Sequence, residues 1–252
     1  MSSIVSHRSL GFSPKWRTSF AMFTTGVTLA IASGCGAVAQ WENTDGVRLY
    51  QQGYYDAAQK RFQQALYNAP DAPDAYYNIA ATYHQLGKLN QDDSMFDQAE
   101  QFYNQCLDRN PNHRDCYRGL AVLMSERGRS EEAFALLKAW VDRAPSMSDP
   151  RIELARLYEE YGDREAAKSQ LLEALQTDPQ NSTVLAALGR IREELGDHAQ
   201  ALADYQRSLS GNRMQNEVKA RVVALQSALS PSMLTGPGSD TRVVTRNAMP
   251  PR

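Results

Sequence analysis

The residues able to do chemistry are scattered along this chain. The four histidines, His7, His84, His113 and His198, form no pair at metal-ligand spacing, and no two cysteines make a CxxC motif. There is no glycine-rich phosphate loop and no GxSxG nucleophile turn. The adjacent carboxylates Glu159–Glu160 and Glu193–Glu194 diverge by about 100° around a helix, so they read as solvated surface rather than an acid/base pair. His84 alone reads as a hydrogen-bonding surface residue. No catalytic residue, metal or cofactor is expected. What the remaining side chains can do is recognise, and that depends on the elements that hold them.

Those elements repeat. Pro111, Pro145 and Pro179 are 34 residues apart, and one further step reaches Arg213. Pro70 lies 41 residues before Pro111, so one unit carries seven extra residues. Twelve residues before these five positions stand Ala58, Ala99, Ala133, Ala167 and Ala201; eight before stand Phe62, Tyr103, Leu137, Leu171 and Tyr205. Seventeen before stand Gly53, Gly128, Gly162 and Gly196. Each unit therefore predicts two short antiparallel helices. The alanine permits a close helix crossing, the large residue fills the same face one turn later, the glycine supplies the positive φ that ends the first helix, and the proline ends the second. In the second unit the turn is expected at Gly87, with the insertion just after it, within Leu89–Phe96. Asp92, Asp93 and Ser94 are N-cap candidates there, with Met95 and Phe96 tucked under the turn. The insertion is either a longer helix or loop without a role, or a partner contact.

A hairpin of this kind cannot bury its own apolar faces and needs copies on either side. The pattern resembles the tetratricopeptide repeat (TPR) family in period and helix–turn–helix unit, over Ala39 to Arg213. Tyr76, Ile79, Ala80 and Tyr83 carry the early motif positions in the second unit, and Tyr117, Leu120, Ala121 and Met124 do so in the third. Leu154–Ala155–Tyr158 and Leu188–Gly189–Arg192 follow in the fourth and fifth. The resemblance implies an all-α, right-handed superhelical solenoid of five hairpins, at about 39–72, 73–113, 114–147, 148–181 and 182–215, closed by a capping helix over 216–229. Glu42 and Asp45 replace the bulky apolar residues of the first unit, which predicts a short or frayed first helix.

The resemblance also implies a concave face lined by the first helices. Carried over, its partner-binding positions include Asp74, Tyr77, His84, Arg118, Glu126, Ile152, Arg156, Glu159, Arg190 and Glu193. Acids outnumber arginines along this strip, which suits a polar or basic extended segment. Arg118, Arg156 and Arg190 either form a ladder for carboxylates or pair with glutamates one turn away, Arg156 with Glu160 and Arg190 with Glu194. Some family members clamp the acidic end of heat-shock chaperones with lysines and asparagines. Asn43 and Val47 fall at two of those positions and Asn78 matches a third, but Asp115 and Gly119 stand where basic residues are needed, so that function is not expected. The implied function is non-catalytic, as a scaffold or adaptor for a protein or peptide. The alternative is a structural subunit of a permanent complex, using the convex face or the insertion.

Both ends depart from the repeats. Residues 1–17 carry His7, Arg8, Lys15 and Arg17 and no acid, and 18–40 carry no charge. Ala32–Ser33–Gly34–Cys35 then resembles a bacterial lipobox, which makes 1–34 an export signal and Cys35 a lipidation site that tethers the chain to a membrane of the envelope. Ala37–Val38–Ala39 offers ordinary signal-peptidase cleavage and a soluble exported form, and retention of the stretch as an anchor is a third route. The architecture looks like that of repeat lipoproteins that assist pilus secretins or outer-membrane assembly. Cys106 and Cys116 lie equally far on either side of Pro111, facing each other as a disulfide or as two buried free cysteines. Residues 230–252, with four prolines and with Asp240 as the sole acid, read as a disordered tail. A net charge of −2 and a pI near 6.1 give no argument for nucleic acid, and a mean hydropathy of −0.54 excludes a polytopic membrane protein.

Overall fold

The computed structural model describes residues 36–229, which form eleven α-helices and no strand among them. The export signal, Cys35 and the 230–252 tail lie outside the described residues. The helices are α1 (36–51), α2 (Tyr55–Asn68), α3 (Pro73–Asn90), α4 (Asp93–Arg109), α5 (Arg114–Glu126), α6 (Ser130–Arg143), α7 (Asp149–Glu160), α8 (Arg164–Thr177), α9 (Ser182–Glu194), α10 (His198–Gly211) and α11 (Asn216–Leu229). No described helix is long and apolar enough to cross a membrane. The chain divides into two compact units, Met1–Trp140 and Val141–Arg252.

Local sequence accounts for the hairpins. Gly53, Gly128, Gly162 and Gly196 all adopt positive φ, between 75° and 84°. Asp92, His113, Asp163 and Asn181 cap the helices they precede, each accepting a backbone N–H and satisfying one of the orphan donors at a helix start. Pro70, Pro111 and Pro179 each follow the C-cap residue of a second helix. Arg213 holds the corresponding place after α10 without being proline. The five register alanines are all 0% exposed, and their large partners are at most 3% exposed.

In the first unit, α2 packs on α3, α3 on α4 and α4 on α5. Ala58, Phe62 and Ile79 centre one core, with Val47, Leu49, Tyr83 and Phe102 around it. Between α5 and α6, Tyr117 and Trp140 stack at 4.0 Å, and the Trp140 indole donates to Asn112 Oδ1 at 3.1 Å. The first helix is not frayed as expected. It runs from 36 to 51, because Arg61 of α2 reaches back to Glu42 and Asp45, each at 3.0 Å. Ion pairs there replace the missing apolar contacts. Ala37 to Ala39 form the start of this helix, and Ala39 is 6% exposed.

The second hairpin corrects another expectation. Gly87 is not the turn; it lies inside α3, which runs 18 residues. The chain reverses at Gln91, with φ 54°. The seven extra residues are about two helical turns, and they lengthen both α3 and α4. Near-integral turns keep both apolar faces in phase. Gly87 serves close packing instead, since a Cβ there would stand 3.2 Å from the Phe96 ring. Leu89, at the end of the extension, is 58% exposed.

In the second unit, α7 packs on α8, α8 on α9, α9 on α10 and α10 on α11. One core joins Ile152, Ala155, Ala167, Leu171, Ala174, Val184, Leu188 and Ile191. A second joins Ala201 and Tyr205 to Val218, Val222 and Leu225 of the capping helix. One face of α11 therefore closes the last hairpin, while Val223 on the opposite face is 62% exposed.

Candidate functional site

In the first unit the expected strip runs along α3 and α5, and its side chains are tied to one another. Asp74 Oδ1 lies 2.9 Å from His113 Nε2. The Tyr77 ring stacks on His113 at 5.8 Å and tilts against Tyr103 at 6.2 Å, and burial pushes its phenol above the ordinary tyrosine range. Arg118 is 3.5 Å from Asp115. The Asn43 and Asn78 amides are joined at 2.8 Å.

His84 is not the exposed residue the sequence suggests. It is 8% exposed, set edge-on against Phe96 and Tyr103, and its Nε2 meets Glu126 Oε2 at 2.9 Å. Lys88 donates to the other oxygen of Glu126 at 2.7 Å. Burial opposes the Glu126 charge, but the hydrogen bonds from Lys88 and His84 outweigh it and hold the carboxyl below its usual range. His84 thus links α3 to α5.

In the second unit the expected strip lies on α7 and α9. Ile152 drops out of it: at 8% exposed it belongs to the core, because its apolar side chain packs inward against the neighbouring helices. Arg156 pairs with the buried Glu153 at 3.3 Å rather than with Glu160. Arg190 pairs with Glu194 at 3.4 Å, as expected for one turn, but more closely with Glu159 of α7 at 2.7 Å. Glu194 also accepts from Arg164 at 2.7 Å, which with Arg190 holds its carboxyl low. Glu193 accepts from the Tyr205 hydroxyl at 3.1 Å and lies 3.6 Å from Arg221. The arginines are therefore not a bare ladder but alternate with carboxylates.

Sequence reasoning missed a concavity that this strip encloses. A half-open cavity of about 160 Å³ lies between α9, α10 and α11, lined by Ala186, Ala187 and Val218 with Arg190, Tyr205, Glu217 and Arg221 around them. Arg190 was legible as a strip position; Arg221 was not, since the capping helix carries no repeat register. Also missed was the pair between Arg192 and Asp204 at 2.5 Å, with Asp204 3% exposed.

Cys106 and Cys116 are joined as a disulfide between α4 and α5, with Cα atoms 6.6 Å apart. Both are fully buried.

Helical hairpins with this register, and faces lined by paired charges, define a repeat protein of the protein–protein interaction class. Tetratricopeptide repeat models match residues 46–87, 92–146, 127–191 and 182–210, together more than half of the chain. The chain belongs to the tetratricopeptide repeat family. It is similar to TTC0263, a thermophilic TPR protein of Thermus thermophilus, at 25% identity over 75% of this chain and 99% of that one, with a TM-score of 0.54. A tetratricopeptide repeat protein of Parabacteroides merdae shares the fold at 17% identity, covering 73% and 70% of the two chains, with a TM-score of 0.53. No curated protein matches the sequence.

Proposed function

We propose that this chain is a non-catalytic adaptor that holds an extended protein segment against its first-helix strips, and that it does so tethered to a bacterial cell envelope through lipidated Cys35. The observation that carries the binding reading is the cavity on α9 and α11. Its apolar floor of Ala186, Ala187 and Val218 takes one side chain of an extended segment. Arg190, Arg221 and Glu217 at its edge address the flanking peptide groups and charges. A pocket for a side chain with a polar rim is the usual form of a peptide site.

The envelope reading is supported by the basic start, the uncharged stretch and the lipobox-like Ala32–Ser33–Gly34–Cys35. The burial of Ala39 within α1 favours cleavage before Cys35 over cleavage after Ala39, which would remove the first turn of that helix. A second reading, a structural subunit docked elsewhere, is favoured by the exposure of Leu89 on the insertion and of Tyr67, 86% exposed, on α2.

Crosslinking of the protein in intact envelopes tests both readings, with wild type compared against charge reversal of Arg118, Arg156 and Arg190, and against Ala186→Trp, which fills the cavity. A partner lost in both variants supports the strip. A partner retained in both places the contact on the insertion or the outer helices and sinks the strip assignment. Fatty-acid labelling that persists in Cys35→Ser would sink the tether.

A further inference from the structure

Three side chains between the second and third hairpins are placed as metal ligands are placed. Cys106 sits in the last turn of α4, His113 is the N-cap of α5, and Cys116 lies in the first turn of α5. One ligand atom from each lies within 4.8 Å of the other two. In a tetrahedral shell, with Zn–S near 2.3 Å and Zn–N near 2.0 Å, ligand atoms stand about 3.5–4 Å apart. The two sulfurs are bonded to each other here, and reduction frees them to part towards that spacing from Cα atoms 6.6 Å apart.

The histidine is already oriented for it. Its Nε2 lies 2.9 Å from Asp74 Oδ1. An ionised carboxylate only accepts, so Nε2 carries the proton and Nδ1 carries the lone pair. Nδ1 points to the cysteine side, where it accepts from the Cys116 backbone N–H at 3.2 Å. The ring is fixed by its stack on Tyr77. A carboxylate behind an imidazole whose free nitrogen faces the ligand cluster is the arrangement that supports metal-bound histidines. Nothing about the repeat requires it, because an asparagine or aspartate would cap α5 as well.

We propose that Cys106, His113 and Cys116 form a redox-gated site for Zn²⁺, closed by the disulfide when oxidised and binding one ion when reduced, with Asp74 orienting the imidazole. Two thiolates and one imidazole select a thiolate-seeking d¹⁰ cation over Mg²⁺ or Ca²⁺. Opening takes two electrons and two protons from a dithiol, which is itself oxidised to a disulfide. The ion then displaces both thiol protons and takes over Nδ1 from the Cys116 N–H. The three protein ligands leave the fourth position of the tetrahedron to a water. The proposal stands independently of the adaptor reading.

The test uses the untagged whole chain, reduced with a phosphine and titrated with Zn²⁺ against a chromogenic chelator. Co²⁺ reports thiolate ligation by its sulfur-to-metal charge-transfer band. The expected result is one equivalent bound by the reduced protein and none by the oxidised one. Cys106→Ala loses both binding and the charge-transfer band. His113→Asn keeps the helix cap but loses binding, and Asp74→Asn weakens it about 10–100-fold. If reduction loosens the hairpins, Zn²⁺ restores helicity to the wild type and not to His113→Asn. Reduced wild type that binds no more Zn²⁺ than Cys106→Ala, or His113→Asn and Asp74→Asn proteins that bind as tightly as wild type, would overturn the proposal.

Discussion

Arg190 of α9 and Glu159 of α7 form an ion pair held by one hydrogen bond: Nη2 donates to Oε2 at 2.7 Å, and Nη1 lies 2.7 Å from Oε1. The pair spans adjacent hairpins, and the hydrogen bond to Glu159 raises the Arg190 pKa further. It fixes the guanidinium at the edge of the α9–α11 cavity, so the arginine is presented to a ligand without further ordering.

Arg190 is 44% exposed and Glu159 is 14% exposed, so solvent screens much of the attraction. Arg190→Met is expected to lower unfolding free energy by no more than about 1 kcal/mol, measured by urea denaturation. A coupling with Glu159→Gln of several kcal/mol in a double-mutant cycle would contradict this. A fold so little disturbed makes Arg190→Met a clean probe of partner binding.

Ala99, on α4, is 0% exposed at the helix crossing. Ala99→Leu forces α4 from its neighbours and should cost about 1–3 kcal/mol. Ala57, one residue before the equivalent register position in α2, is exposed, and Ala57→Leu should change stability by less than about 0.5 kcal/mol. Thermal melts of the two proteins give the comparison, and equal losses would show that the register does not set the crossing.

Gly119 and Gly162 are needed for different reasons. A Cβ at Gly119 would stand 2.5 Å from the ring of Tyr103, itself 2% exposed and unable to move aside. Gly162 has open space around it but a φ of +81°. Gly162→Ala should lose about 1–2 kcal/mol to left-handed strain, and Gly162→Asn should lose less, since asparagine tolerates that region. Gly119→Ala and Gly119→Asn should both destabilise, the larger side chain more. Rescue by asparagine at 119 would refute the packing argument.

Two carboxylates give opposite pH dependences. Burial pushes the pKa of Asp204 up in spite of Arg192, so its contribution to stability falls as pH rises through the raised folded value. At pH 7 Asp204→Asn should then lie within about 1 kcal/mol of wild type, whereas Arg192→Met strands a buried carboxylate and should cost about 3–5 kcal/mol. The Glu126 pKa is lowered. Its contribution is present above the unfolded value of about 4.3 and is lost as pH falls through the folded one. Glu126→Gln should flatten the acid limb of a melting-temperature profile, and an unchanged limb would remove Glu126 from the cause.

The sequence by itself determined the hairpins and their cores. Helix phase, chain reversal and capping are local properties. The five alanines, their large partners and the glycines of the four 34-residue units therefore read directly as crossings, core and turns, and all occupy those places. The second hairpin escaped that reading because a seven-residue insertion preserves helical phase. Nothing local separates a glycine that turns the chain from one that lets Phe96 approach, and the reversal fell at Gln91. Only the tertiary structure decided which polar groups meet. Arg61 reaching Glu42, His84 reaching Glu126 and Arg190 choosing Glu159 over its own-turn neighbour all depend on the spacing between helices. Long side chains sample several partners from one backbone position, and the packed hairpins leave only some of those partners within reach.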